Sequence, residues 1–209
     1  MSLLDRKTTL TRITMVIVIV ITAFLTIFIA KLPYLPGDVF IARCIQSLLP
    51  ANPGWAKWVT SFAFFPGYII LIAIAFFCSW SISGMKAAIF SLASFGGILV
   101  IDRLLRLIIF QPRPAPGLIH VASMSPGSAF PSTAAFVYAA TFGYVCVLAV
   151  RKGAKFKING VVLIVCVLGL VIAFAARIAL GAHWPSDLIA SYLWAYLWIL
   201  FLMRYVKTQ

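Results

Sequence analysis

The chain has 209 residues, 64% of them hydrophobic and 10% charged, and four aspartates stand against 17 lysines and arginines for a formal net charge of +13. That composition excludes a soluble domain with a polar surface and fits a polytopic membrane protein with short loops. The positive charge does not indicate nucleic acid: no basic run is long enough, and the basic residues sit at the ends of apolar segments, where they set topology and meet anionic lipid.

Six spanning helices are predicted in chain order, near Ile13–Ala30, Trp58–Trp80, Met85–Phe110, Ser132–Val150, Ile158–Leu180 and Pro185–Tyr205. Each can cross a hydrocarbon core of about 30 Å, which takes about 20 residues. The first is too long for a signal-peptide core and lacks a small-residue cleavage site, so it is expected to remain as a helix. Between the first two, Asp38–Leu49 mixes Asp38, Arg43 and Gln46 with apolar residues at helical spacing, which predicts a short helix lying in the interface. The expected fold class is all-α: an integral membrane bundle of six transmembrane helices plus that interfacial helix, one membrane-embedded domain over residues 1–209 with no soluble appendage. Cys44, Cys78, Cys146 and Cys166 are scattered, without metal-ligand spacing. Gly96 and Gly97 offer close helix packing, and Trp184, Trp194 and Trp198 read as packing or interface anchors.

Basic residues orient the bundle. Arg6, Lys7, Arg12, Lys86, Arg151, Lys152, Lys155, Lys157, Arg204 and Lys207 all fall on one side of a six-helix arrangement. The positive-inside rule puts that side, with both termini, in the cytoplasm. The C-terminal end of helix 3, the start of helix 4, the end of helix 5 and the start of helix 6 then share the outer face, and these ends carry nearly all the unusual polar residues.

Three segments meet there: Arg106 to Pro114, Phe130-Pro131-Ser132-Thr133-Ala134, and Arg177 to Asp187 with Arg177, His183 and Asp187 spaced R-x5-H-x3-D. Arg113 and Arg177 can each bind phosphate oxygens bidentately, and Arg106 adds a third cation. Pro131 and Ser132 open a helix whose free N–H groups suit an anion, with the Ser132 hydroxyl and Thr133 as further phosphate contacts. His183 is the candidate nucleophile. Asp187, four residues on and just past Pro185 at the start of the last helix, can point back to His183, fix its tautomer and stabilise a phosphohistidine. The same pair could instead serve only as a helix cap.

The three segments resemble the type 2 phosphatidic acid phosphatase superfamily, whose signature reads K-x6-RP, then PSGH, then SR-x5-H-x3-D. The resemblance covers roughly the C-terminal half; the first two helices match only in being apolar. Three positions depart from the pattern. Arg106 stands for lysine, Ala176 for the serine before Arg177, and Ala134 for the histidine that the resemblance implies as general acid for the leaving group. A positioned acid is worth about 10²–10⁴-fold, so the chain as written is expected to be nearly inactive, with some turnover surviving for a pyrophosphate leaving group. Ala134 is either an inactivating substitution made to trap a lipid or a natural loss, and the otherwise intact site favours the first. The other histidine, His120, lies in an outer loop rich in glycine and serine that is expected to give it no fixed position.

The resemblance implies an integral-membrane lipid phosphatase working through a phosphohistidine at the outer face, with undecaprenyl pyrophosphate as the leading substrate. Phosphatidylglycerophosphate, phosphatidate and a lipid A phosphate stay open. The expected partners are a membrane lipid phosphate and the bilayer. No cofactor or metal is expected, and the size suggests a bacterial inner membrane with the site toward the periplasm or cell exterior. The alternatives are a non-catalytic lipid-phosphate binding or translocating protein, and a lipid phosphotransferase. A small-anion transporter would place its polar residues near the midplane in broken helices rather than at one face.

Overall fold

The computed structural model describes residues 3–50, 52–122, 126–153 and 157–206. Among them all regular structure is helical: α1 (Leu3–Lys31), α2 (Asp38–Leu48), α3 (Gly54–Ser61), α4 (Tyr68–Ser83), α5 (Met85–Ile108), α6 (Thr133–Tyr138), α7 (Tyr144–Lys152), α8 (Lys157–Ala179) and α9 (Pro185–Leu202). A π-helical turn over Ala139–Gly143 joins α6 to α7, so the two run as one apolar rod, Thr133–Lys152. Lys155 and Lys207, the basis with other residues for the expected orientation, lie outside the described residues, as do 123–125 of the loop between α5 and α6.

Among the described residues five segments are long and apolar enough to cross a membrane: Ile13–Lys31, Met85–Ile108, Thr133–Lys152, Gly160–Ala179 and Pro185–Leu202. The rod Thr133–Lys152 is 67% buried and Ile13–Lys31 only 11%, which makes the rod the centre of the bundle and α1 a peripheral helix. The expected second span, Trp58–Trp80, is not continuous. It divides into α3 and α4 around an elbow at 62–67, because Pro66 has no N–H to donate and disfavours helical geometry in the residue before it. The remaining α4 is a shorter apolar helix, Tyr68–Ser83.

Side chains lock these helices in place. Gly97 faces the Trp198 ring at a point where any Cβ would collide with it, and the Trp198 indole N–H donates to the Ser94 carbonyl at 3.2 Å, drawing α5 against α9. Trp194 donates to the Thr26 hydroxyl at 3.0 Å and so ties α9 to α1. The Ser94 hydroxyl donates to the Ala140 carbonyl at 2.9 Å, inside the π turn.

The short helix α2 forms where the pattern placed it and is a clasp. Buried Asp38, in its first turn, accepts from the Ser186 N–H at 2.9 Å and the Ser186 hydroxyl at 2.7 Å, at the start of α9. About 12 Å along α2, at about 1.5 Å per residue, Gln46 grips the loop between α5 and α6. Its amide donates to the His120 and Ile178 carbonyls, each at 2.8 Å, and its oxygen accepts from the His120 N–H at 3.1 Å. The backbone of His120 is therefore fixed, contrary to the expectation from loop composition.

Candidate active site

The three motif segments converge as the sequence pattern implied. The C-terminal turn of α5 brings Arg106, the first turn of α6 brings Thr133 and Ala134, and the last turn of α8 brings Arg177. The loops add Arg113 and His183. All six border one cavity of about 580 Å³. Two expected members do not reach it. Ser132 is fully buried as the N-cap of α6, its hydroxyl accepting from the Ala135 N–H at 3.4 Å and its own N–H donating to the Ser191 hydroxyl at 3.0 Å. Asp187 also lies behind the wall.

The three arginines do different work. Arg106 is bound into the scaffold: its Nε pairs with Asp102 at 3.2 Å, one helical turn back on α5. Its other nitrogens donate to the Ser128 carbonyl at 3.1 Å, to the Pro131 carbonyl, and to the Thr133 hydroxyl at 3.0 Å. Thr133 in turn donates to Asp102 at 3.0 Å. Asp102 was not singled out by the motif reading, although its i, i+4 spacing to Arg106 is a readable helix-pair signal. Arg113 is held by carbonyls alone, those of Gly127 at 3.1 Å, Ala182 at 2.7 Å and Pro126 at 3.3 Å. Burial lowers its pKa from the ordinary value and Arg106 lowers it further, while Asp187 works the other way; a guanidinium keeps its charge regardless.

Arg177 is different. It is 7% exposed, its Nε is buried without a hydrogen-bond partner among the described residues, and its side chain borders the cavity. A buried guanidinium without an acceptor is costly, and an anion in the cavity would remove that cost.

His183 departs from the expected arrangement. Its Nδ1 lies 2.6 Å from the Ala129 carbonyl, not from Asp187. A carbonyl only accepts, so Nδ1 carries the proton and Nε2 keeps its lone pair. Burial pushes the ring's pKa well below the ordinary histidine value; Arg177, Arg113 and Arg106 push the same way, and only the Ala129 hydrogen bond opposes them. The imidazole is neutral and tautomerically fixed, with Nε2 unprotonated. Asp187 instead accepts from the Trp184 N–H at 3.0 Å and closes the first turn of α9, with its second oxygen buried and unpartnered. It takes the cap role because, as the third residue of α9, it folds back onto the N–H of the N-cap residue Trp184, with Pro185 setting the helix start between them. Tyr34 and the Pro112 carbonyl, 5.1 Å between ring centroids and 3.2 Å from Nε1 respectively, anchor Trp184 beside it.

Gly181 shapes the turn that presents His183. Its φ of +63° suits glycine, and a Cβ there would collide with the His120 carbonyl, the same carbonyl that Gln46 holds. Ala134 is 2% exposed and borders the cavity, without a proton to give. His120 borders a separate cavity of about 200 Å³ with Gln46 and Ala179, so it does not stand in for the absent histidine. No cluster of three or more metal-ligating side chains occurs among the described residues.

The fold and site together define an all-helical bundle, with helices long and apolar enough to cross a membrane, that gathers three arginines and a fixed imidazole around one cavity. Residues 84–209 match the PAP2 superfamily, and the chain belongs to it. The crystal structure of the first transmembrane PAP2 type phosphatidylglycerolphosphate phosphatase from Bacillus subtilis has the same fold. Its TM-score is 0.70 at 16% sequence identity, covering 91% of this chain and 94% of that one. No curated protein matches the chain.

Proposed function

We propose that this chain is a lipid phosphohydrolase of the PAP2 type that works through a phosphohistidine on His183. The observation carrying the reading is the pairing of Arg177, a buried guanidinium with an unpartnered Nε, with a neutral imidazole on the same cavity wall. The phosphoryl group binds Arg177 and Arg113. Nε2 of His183 attacks phosphorus, the bond to the lipid oxygen breaks, and its electron pair leaves with that oxygen. Nδ1–H, held by the Ala129 carbonyl, carries the positive charge that develops on the ring. Water then attacks the phosphohistidine, the P–N electron pair returns to Nε2, and the water's proton goes to the released phosphate.

Ala134 bears on both steps. Without a donor there, an alcohol leaves as an unprotonated alkoxide, which is slow; a phosphate leaving group needs no proton. The substrate favoured is therefore a lipid diphosphate, undecaprenyl pyrophosphate being the leading candidate over phosphatidylglycerophosphate. A lipid acceptor in place of water would make the same site a phosphotransferase.

The proposed topology has six crossings, with α3, the elbow and α4 together making the second and α2 lying in the interface. Both termini are cytoplasmic, the membrane is a bacterial inner membrane, and the cavity faces the periplasm or cell exterior. The Arg151 guanidinium, which donates to the Met203 carbonyl at 2.8 Å, supports placing the ends of α7 and α9 on one side.

The test is phosphate release from undecaprenyl pyrophosphate and phosphatidylglycerophosphate by the solubilised chain, by Ala134→His, and by Ala134→His/His183→Ala. A gain of about 10²–10⁴-fold in Ala134→His, larger on phosphatidylglycerophosphate and abolished in the double variant, supports the reading. Lipid binding without release in any variant moves the chain to non-catalytic binding or translocation, the alternative that Ala134 favours.

A further inference from the structure

One wall of the cavity carries groups that the reaction above does not use. The cavity runs inward along α5, which lines it with Arg106, Arg103 and Leu99. At about 1.5 Å per residue, Arg103 lies about 4.5 Å and Leu99 about 10 Å further into the bundle than Arg106. On the facing α6, Thr133, Ala134 and Val137 descend over about 6 Å. Along both helices the lining thus passes from Arg106 and Thr133, through Ala134 and Arg103, to the apolar Leu99 and Val137.

Arg103 has no hydrogen-bond or ion-pair partner among the described residues. Its chain neighbour Asp102, the nearest acid in sequence, is committed to Arg106 and Thr133. Arg103 is exposed and sits five residues before the end of α5, so its guanidinium is free to meet an anion in the cavity it borders. Tyr68, in the first turn of α4, borders the same cavity; its ring packs on Phe95 at 5.3 Å between centroids, and its hydroxyl likewise has no partner among the described residues.

We infer that Arg103, assisted by the Tyr68 hydroxyl, forms a second anion subsite that receives the lipid-side phosphate of a diphosphate. The inference rests on the proposed phosphohydrolase reading and adds to it the groups that bind the leaving group. With the terminal phosphorus at His183, the second phosphorus is one bridging oxygen away and falls at the level vacated at Ala134. The hydrocarbon tail continues past Leu99 and Val137. When the Nε2–P bond forms, the bridging P–O bond breaks and its electron pair stays on the departing lipid monophosphate. Arg103 compensates that new charge, and no proton is required. A lipid monophosphate leaves the subsite empty. Arg103 then discriminates between the two substrate classes, doing by charge what a histidine at 134 would do by proton transfer.

The test uses the full chain in detergent, with farnesyl diphosphate and farnesyl monophosphate as probes and calorimetric binding as the readout. Arg103→Ala should weaken diphosphate binding by about tenfold or more, the scale of one lost charge-assisted hydrogen bond, and leave monophosphate binding within about threefold. Arg103→Lys should fall between, and Tyr68→Phe should produce a smaller loss on the diphosphate alone. Thermal unfolding confirms that each variant is folded. Equal losses on both probes, or none, would mean that Arg103 only snorkels to headgroups or supports the wall; the subsite is then wrong while the phosphohydrolase reading stands. If the parent binds neither probe and Ala134→His releases no phosphate, both fall together.

Discussion

Asp102→Ala is the most informative perturbation of the scaffold. The carboxylate is 3% exposed at its side chain and its partner Arg106 is 23% exposed, so the pair is mostly withdrawn from solvent. Asp102 accepts from the Arg106 Nε at 3.2 Å and from the Thr133 hydroxyl at 3.0 Å. A hydrogen bond to a charged partner contributes about 1.5–3 kcal/mol and a hydroxyl bond about 1 kcal/mol. Breaking a buried pair from one side costs about 3–5 kcal/mol. Arg106 keeps its carbonyl partners at Ser128 and Pro131, which places the loss at the low end, about 3 kcal/mol. For a chain of this length that is roughly 6–12 °C in Tm. Asp102→Asn, which keeps an acceptor oxygen, should lose about half as much. Differential scanning fluorimetry in one detergent measures both. A drop of about 2 °C or less for Asp102→Ala would show that the Arg106 network does not hold the ends of α5 and α6 together.

Two more outcomes follow from the site. His183 binds its proton less readily folded than unfolded, so its neutral ring contributes stability in full above about pH 6.5 that is lost as pH falls below it. The Tm difference between the parent and His183→Asn should therefore shrink from pH 7.5 to pH 5; a constant difference contradicts the depressed pKa. Gly181→Ala should cost about 2 kcal/mol or more, since a positive φ costs about 1–2 kcal/mol and the new Cβ displaces the His120 backbone. It should also weaken phosphate binding by moving the Ala182 carbonyl that holds Arg113; a parent-like Tm and affinity would refute that coupling.

What the sequence made legible followed from local rules. Apolar segments of about 20 residues gave the helices and their order, and the spacing R-x5-H-x3-D brought Arg177 and His183 to one cavity. The interruption of the second span was written in Pro66-Gly67 but was overridden by length and hydropathy. The partner of His183 was not legible: the Ala129 carbonyl is 54 residues away in sequence, and no side-chain pattern marks a backbone acceptor. Asp187 lay at a spacing compatible with both a catalytic partner and a helix cap, and the N–H of Trp184, the N-cap of α9, decided for the cap. Gln46 was visible only as a polar residue on an amphipathic helix, because its grip on His120 and Ile178 depends on tertiary placement.

The central claim is that His183 carries the phosphoryl group. With a diphosphate the first step needs no acid, whereas water's attack on the phosphoenzyme lacks a base at Ala134, so the intermediate should accumulate in this chain. The direct measurement is to incubate the solubilised protein with a ³²P-labelled lipid diphosphate, quench in alkali and map the label by peptide. An acid-labile, alkali-stable label is expected on the peptide containing His183 and lost in His183→Ala. No label there, or a label that survives His183→Ala, would contradict it.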